Sequence, residues 1–532
     1  MYALLAFLPI LITIVLMTGF NVPAKKALPI AWLVGSITAL LFWKSSIITV
    51  LATTLYGFLN SLDVLFIVFG AIIIMNTLKK SGGMFTINKA FISISEDSRV
   101  QTIVIGFLFV SFLEGAAGFG TPAALAAPLL VSLGFPPIAA AAITLFYDSL
   151  AVVTGAVGTP VIMSLSLLNG LVDSTTLIDW TIYSNAIIGI FIPFIGVAFL
   201  TKVFSKEKSF KPALEILPFA LFTGLVFSIN YILVYLLFSF EFSSLLGSLI
   251  SLLIVVFAAK KNFLTPKHIW KISEDKNEVK LADDLVNKNI STIKSWLPYI
   301  IISLLLILTR IDIIGLKDIL QKGMFVINFN SILGVEELNY VFKWAYLPGT
   351  IFIIVSVITN IIHKMDKDSI KESWGLTFKQ ISGATIALIF GVALVQILRY
   401  SNINHSGLPS MLMTMAEALS KVGKHLFIFI SPFIGSLGSF ISGSATVSNV
   451  LFTSLQFEVA SSLGIYPEAI IASQILGSSV GNMICINNAV AVCATLGIMG
   501  SEGTLIKKNF IPMVIYLLLV FIVISLGIIL IV

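Results

Sequence analysis

Charge is what this chain has least of. Only 11% of its 532 residues are Asp, Glu, Lys or Arg, where a soluble domain carries about 25%. That excludes a soluble globular enzyme of this length. Cysteine is equally scarce. Cys485 and Cys493 lie eight residues apart in one apolar stretch, which excludes a disulfide framework and leaves them as packing residues. Only four histidines are present, and none stands with the cysteines at metal-ligand spacing. No Walker-type phosphate loop, Gly-x-Ser-x-Gly elbow or dinucleotide fingerprint occurs. No cofactor or metal is therefore expected.

What the chain has is apolar length. It is 58% hydrophobic with a mean hydropathy of +1.05. Spans, or broken pairs of spans, are predicted near 3–20, 28–43, 57–77, 101–135, 137–170, 181–201, 213–237, 243–259, 296–314, 345–362, 380–399, 426–461, 467–498 and 511–531. The fold class is an all-α polytopic membrane protein with about 12–14 transmembrane helices. No basic residue precedes the first run, so it reads as a retained span and not as a signal peptide.

The net charge of +6 implies no nucleic acid. The basic residues cluster in loops: Lys25/Lys26, Lys79/Lys80/Lys89/Arg99, Lys202–Lys211, Lys260–Lys294, Lys364–Lys379 and Lys507/Lys508. Placing all of them in the cytoplasm gives a consistent alternation, with both termini outside the plasma membrane. The one long polar insertion, 260–295, reads as a solvated cytoplasmic linker. It separates a membrane half at 1–259 from another at 296–532.

Two stretches repeat one order of parts across that linker. The first runs through Phe107–Ser111, a small-residue break, Leu133-Gly-Phe-Pro-Pro and a helix broken at Gly155–Pro160. The second runs through Phe427–Ser431, Gly443–Asn449, Leu463-Gly-Ile-Tyr-Pro and a helix broken at Gly477–Gly481. With the predicted topology the copies are inverted. Inverted repeats with broken helices or re-entrant hairpins place a solute site between the breaks.

Glu114 is the strongest candidate for chemistry. It follows a lipid-grade apolar run and precedes the glycines at 115, 118 and 120. A carboxylate at that depth faces a cavity, pairs, or takes up a proton. Asp148 lies inside another apolar helix and serves either as a second proton site or as a satisfied polar residue. Anion binding is expected from backbone N–H groups at the breaks. The residues concerned are Gly115, Gly118, Gly120 and Thr121, then Ser442, Ser444, Thr446, Ser448 and Asn449. Arg399, Arg310 and Lys343 are candidate cationic partners, with interfacial snorkelling as their alternative. Gln456 and Glu458 sit near the second break, and His405 falls in a polar loop.

These motifs also resemble a known family, the lactate permeases. The resemblance rests on Phe112-Leu-Glu-Gly-Ala-Ala-Gly-Phe-Gly-Thr-Pro122, Gly155-Ala-Val-Gly-Thr-Pro160 and Gly443-Ser-Ala-Thr-Val-Ser-Asn-Val-Leu-Phe452. Gly481-Asn-Met-Ile-Cys485, Gly497–Gly503 and Trp296-x-Pro-Tyr299 extend it across the chain. It implies a plasma-membrane carrier of lactate, and often glycolate, by proton symport. The family pattern has Asp where this chain has Ala445 and Lys where it has Asn482. It has Ser-Pro-Gln for Ile486-Asn487-Asn488, and no acid at Asp148. Those departures leave a sodium-coupled or differently selective organic-anion carrier as the alternative. A non-transporting membrane subunit or an intramembrane enzyme is more distant, because no nucleophile or metal set is present.

Overall fold

The computed structural model describes residues 2–531 apart from 17–19, 21, 92–93, 117, 119–120, 273–289, 311–314 and 499–500. The chain is almost wholly helical. One two-stranded antiparallel sheet, Ile327–Phe329 with Tyr340–Phe342, pairs Ile327 with Phe342 and lies in a loop. Among the described residues, eight helices are long and apolar enough to cross a membrane, and two bent pairs raise this to ten. Five shorter apolar helices, such as Pro122–Ser132 and Lys424–Phe440, account for the larger number of predicted spans.

The longest helices, Ile47–Ser81 and Lys367–Tyr400, lie side by side. Gly57 lets the backbones meet, because a Cβ there would collide with Ala393. Asn76 Nδ2 donates to Thr377 Oγ1 and Gln380 Oε1, each at 2.9 Å. Both helices run beyond their predicted spans of 57–77 and 380–399, since polar residues at their ends continue the same winding.

The predicted order of parts is observed, except that the last helix is continuous through Gly477 and breaks after Gly481, at Asn482–Cys485. Val110–Ala116, Thr121–Ser132, Pro137–Val152 and Gly155–Leu167 follow one another in the first half. Lys424–Ser442, Ala445–Leu463, Pro467–Gly481 and Ile486–Thr495 follow in the second. Each Leu-Gly-x-x-Pro turn reverses the chain through a left-handed glycine, Gly134 at φ +97° and Gly464 at φ +60°. A side chain there would strain the turn.

The span Ser98–Ala116 is enclosed by protein and Pro467–Cys493 is mostly so, with Asn487 and Val490 exposed, whereas Glu502–Leu530 is mostly on the outside. The two enclosed spans therefore form the centre of the molecule.

The 260–295 stretch is anchored at its start. Ser98 N–H donates to the Trp270 carbonyl at 2.9 Å, and Trp270 N–H donates to Asp97 Oδ2 at 3.0 Å. Arg99 is buried, not a free loop cation. It pairs with Asp97 at 2.7 Å and Glu215 at 2.8 Å, and donates to the His268 carbonyl. Residues 273–289 lie outside the described set.

Candidate functional site

Glu114 sits on the Val110–Ala116 helix, which continues a π-helical stretch, Thr102–Phe109. Wide π turns recur at functional sites because they re-aim the residues that follow. The Glu114 side chain is buried and turned onto the break at Gly155–Pro160. A Cβ at Gly155 would collide with its Oε1. Beyond Gly155, Ala156, Val157 and Gly158 take left-handed backbone angles, with φ of 41°, 55° and 76°. Ala156 and the β-branched Val157 each hold strain of about 1–3 kcal/mol in that conformation.

Asp148, on Pro137–Val152, is fully buried. Its carboxyl lies within hydrogen-bonding reach of the Glu114 carboxyl. Glu114 Oε2 and Asp148 Oδ1 are buried with no donor aimed at either among the described residues. Two carboxylates in contact repel, and burial removes the water that would screen them.

Between the breaks lies a cavity of about 40 Å³, room for roughly three water molecules. The first half lines it with Glu114, Val152, Gly155, Ala156, Thr159 and Pro160. The second half lines it with Gly443, Ser444, Ala445, Thr446, Asn482 and Asn488. No basic side chain is among these residues. What faces an anion instead is a helix start. Ser444 caps Ala445–Leu463, its Oγ accepting from Val447 N–H at 3.4 Å. The first-turn N–H groups of that helix, with the positive end of its dipole, border the cavity.

The expected site residues divide. Glu114, Ser444 and Thr446 line the cavity, and Asp148 touches Glu114 from behind. Gly118 lies beside the same carboxyl, where a Cβ would stand 3.2 Å from Glu114 Oε1. Gly115 faces away and lets the helix pack on Leu245 of the Ser243–Lys260 helix. Ser442 Oγ turns back to the Gly438 and Ser444 carbonyls. Gly120 and the side chain of Thr121 lie outside the described residues.

Ser448 and Asn449 belong to a separate buried network. Gln474 Nε2 donates to Ser448 Oγ and Asn449 Oδ1, both at 3.2 Å. Gln456 Nε2 donates to Gln474 Oε1 at 2.5 Å, and Ser431 Oγ donates to Gln456 Oε1 at 2.6 Å. Asn449 Nδ2 donates across to the Pro160 carbonyl at 3.1 Å. This network locks three helices together, and it crosses to the first half at the broken helix.

The candidate cations lie elsewhere. Arg399 donates to the Leu167 carbonyl at the end of the Gly155–Leu167 helix. Lys343 donates to Gln321 Oε1 at 3.0 Å. The side chain of Arg310 is outside the described set. Glu458 is half-buried and feels the Arg399 charge, and the His405 backbone N–H donates to the Lys44 carbonyl in a turn.

Sequence reasoning missed the role of Asn482 and Asn488, both buried. Asn482 Nδ2 donates to Asp148 Oδ2 at 3.3 Å, and Asn488 Nδ2 donates to Asn482 Oδ1 at 2.7 Å. Asp148 and Asn482, two departures from the family pattern, thus touch each other. Amide side chains inside an apolar, enclosed span were the available signal.

The family model described as L-lactate permease matches residues 2–531. The chain belongs to the L-lactate permease family. It is a multi-pass membrane permease. A Haemophilus influenzae relative is 30% identical, covering 96% of each chain. The L-lactate permease of Escherichia coli K12 is 27% identical over 95% of this chain and 92% of its own. The glycolate permease GlcA of the same organism is 26% identical over 95% and 92%. Among solved structures, the permease is similar to the YdaH transporter of Alcanivorax borkumensis, with TM-score 0.42 and 14% identity over 88% of this chain and 85% of that one. It is also similar to MtrF of Neisseria gonorrhoeae, with TM-score 0.47 and 13% identity over 90% and 83%.

Proposed function

We propose that this permease carries lactate and related small 2-hydroxy-monocarboxylates, such as glycolate, across the plasma membrane by proton symport. The supporting observation is the cavity between two helix breaks. Glu114 lines it with Asp148 behind, a helix N-terminus borders it, and no basic side chain lines it. The pair shares one proton when the cavity is empty, because two buried carboxylates without a cation are unstable together. A bound monocarboxylate adds a negative charge beside Glu114. A second proton on the pair offsets that charge, so anion and proton bind together. One proton with one monoanion is electroneutral.

Sodium is the rival ion. Asn482 adds no ligand for it, because it turns its N–H2 group and not its carbonyl toward Asp148. The Lys424–Ser442 and Ala445–Leu463 pair serves as the inverted counterpart of the helices around Glu114, and the substrate carboxylate sits at the Ser444–Thr446 turn.

The test is uptake of labelled L-lactate by proteoliposomes, with an inward proton gradient in one set and an inward sodium gradient at equal pH in another. The proton gradient is expected to drive accumulation, and Glu114→Gln to abolish it. Accumulation driven by sodium alone would contradict the reading.

A further inference from the structure

The direction of the amide chain behind the cavity is fixed by an acid. Asp148 Oδ2 accepts from Asn482 Nδ2, so the Asn482 carbonyl must turn the other way. It faces Asn488, whose Nδ2 donates to Asn482 Oδ1 at 2.7 Å and to the Asn482 backbone carbonyl at 3.3 Å. Both N–H groups of the Asn488 amide are then occupied. Its carbonyl oxygen accepts no hydrogen bond from a described residue. The residue is 5% exposed, and what it faces is the cavity.

We propose that the Asn488 side-chain carbonyl accepts the hydrogen bond of the substrate's 2-hydroxyl and thereby selects 2-hydroxy acids. The assignment rests on the transport reading above and names the group that reads the substrate. A buried carbonyl is an acceptor only. A hydroxyl at the 2-position satisfies it. A 2-keto oxygen places acceptor against acceptor, and a 2-methylene leaves the carbonyl unpaired. A site with a buried polar group left unpaired rejects the analogue more strongly than an apolar pocket rejects a missing methyl group. Asn482 is the positioning residue. It prevents Asn488 from presenting its N–H2 group, which would instead suit a keto acid. Ser444 and Thr446 line the same cavity, and their hydroxyls with the helix start meet the carboxylate.

The experiment is competition against labelled L-lactate uptake in proteoliposomes holding the full-length permease. Glycolate, pyruvate and propionate are the competitors, with the wild type beside Asn488→Leu. In the wild type, glycolate is expected to compete like lactate, and pyruvate and propionate about tenfold or more weakly, the size of one buried hydrogen bond lost. In Asn488→Leu that gap closes, with propionate competing as well as lactate.

Wild-type uptake that pyruvate and propionate inhibit as strongly as glycolate would overturn the assignment, whatever the variant does. So would an Asn488→Leu protein that transports with the wild-type order of competitors. Folded wild-type protein that moves no monocarboxylate would overturn the transport reading itself, and this assignment with it.

Discussion

Gly155 decides where the Glu114 carboxyl sits. Any side chain there would collide with Glu114 Oε1, and the glutamate would have to leave both Asp148 and the cavity. Gly155→Ala is expected to leave the permease folded and to lower proton-driven lactate uptake by about ten- to a hundredfold, the range for a reacting group displaced by an ångström. Gly503→Ala is the control, because nothing lies within 4 Å of where its Cβ would stand. Equal uptake by both variants would show that Glu114 can function elsewhere. Glu114 itself was legible in the sequence, since an acid inside an apolar run is costly unless used. Gly155 was legible only as a helix breaker. Its contact partner lies 41 residues earlier, and no local pattern encodes that pairing. Ser448 and Asn449 stood out for their polarity, yet their hydrogen bonds serve packing. Polarity alone does not separate a lining group from a satisfied one.

At the scale of elements, Gly and Pro marked the breaks because they end helices for local reasons. Which spans are enclosed was not legible. Apolar length alone does not separate them: Ser98–Ala116 and Glu502–Leu530 both pass as spans, although the surrounded one has a mean hydropathy of 1.4 and the outer one 3.1. The ties between helix ends were not legible either. His363, in the turn after Pro348–Ile362, donates from Nε2 to the Lys294 carbonyl at 2.9 Å, and its Nδ1 bonds to Ser81 Oγ at 2.7 Å. It joins the ends of three helices. Burial holds its pKa below the ordinary 6.5; the bond to the Lys294 carbonyl opposes this, and the Lys294 charge adds to it. The unfolded chain therefore binds this proton at a higher pH than the folded one. Stability is full above about pH 6.5 and falls as pH drops below it. His363→Gln is expected to show a smaller fall in Tm than wild type between about pH 7.5 and about pH 5.5. An identical fall in both proteins would remove His363 from the acid response.

Across the whole molecule, the two halves meet at the site as well as along the paired helices Ile47–Ser81 and Lys367–Tyr400. Asn482 reaches Asp148, Asn449 reaches the Pro160 carbonyl, and Ser164 Oγ lies 3.2 Å from Thr453 Oγ1. Each contact joins a broken helix of one half to a helix of the other. Any motion that opens the cavity breaks some of these bonds, which links access to the state of the carboxyl pair. The overall plan of a polytopic helical membrane protein followed from composition, because a chain this apolar must satisfy its backbone within helices.

The charge balance in the cavity is the central claim, and it has a direct measurement. Purified permease is placed in liposomes containing a pH-sensitive dye, and L-lactate is added outside. The lumen is expected to acidify by one proton for each lactate that enters, at a rate indifferent to an imposed membrane potential, and Glu114→Gln is expected to abolish the signal. Lactate entering without acidification, or at a rate that follows the potential, would contradict the account.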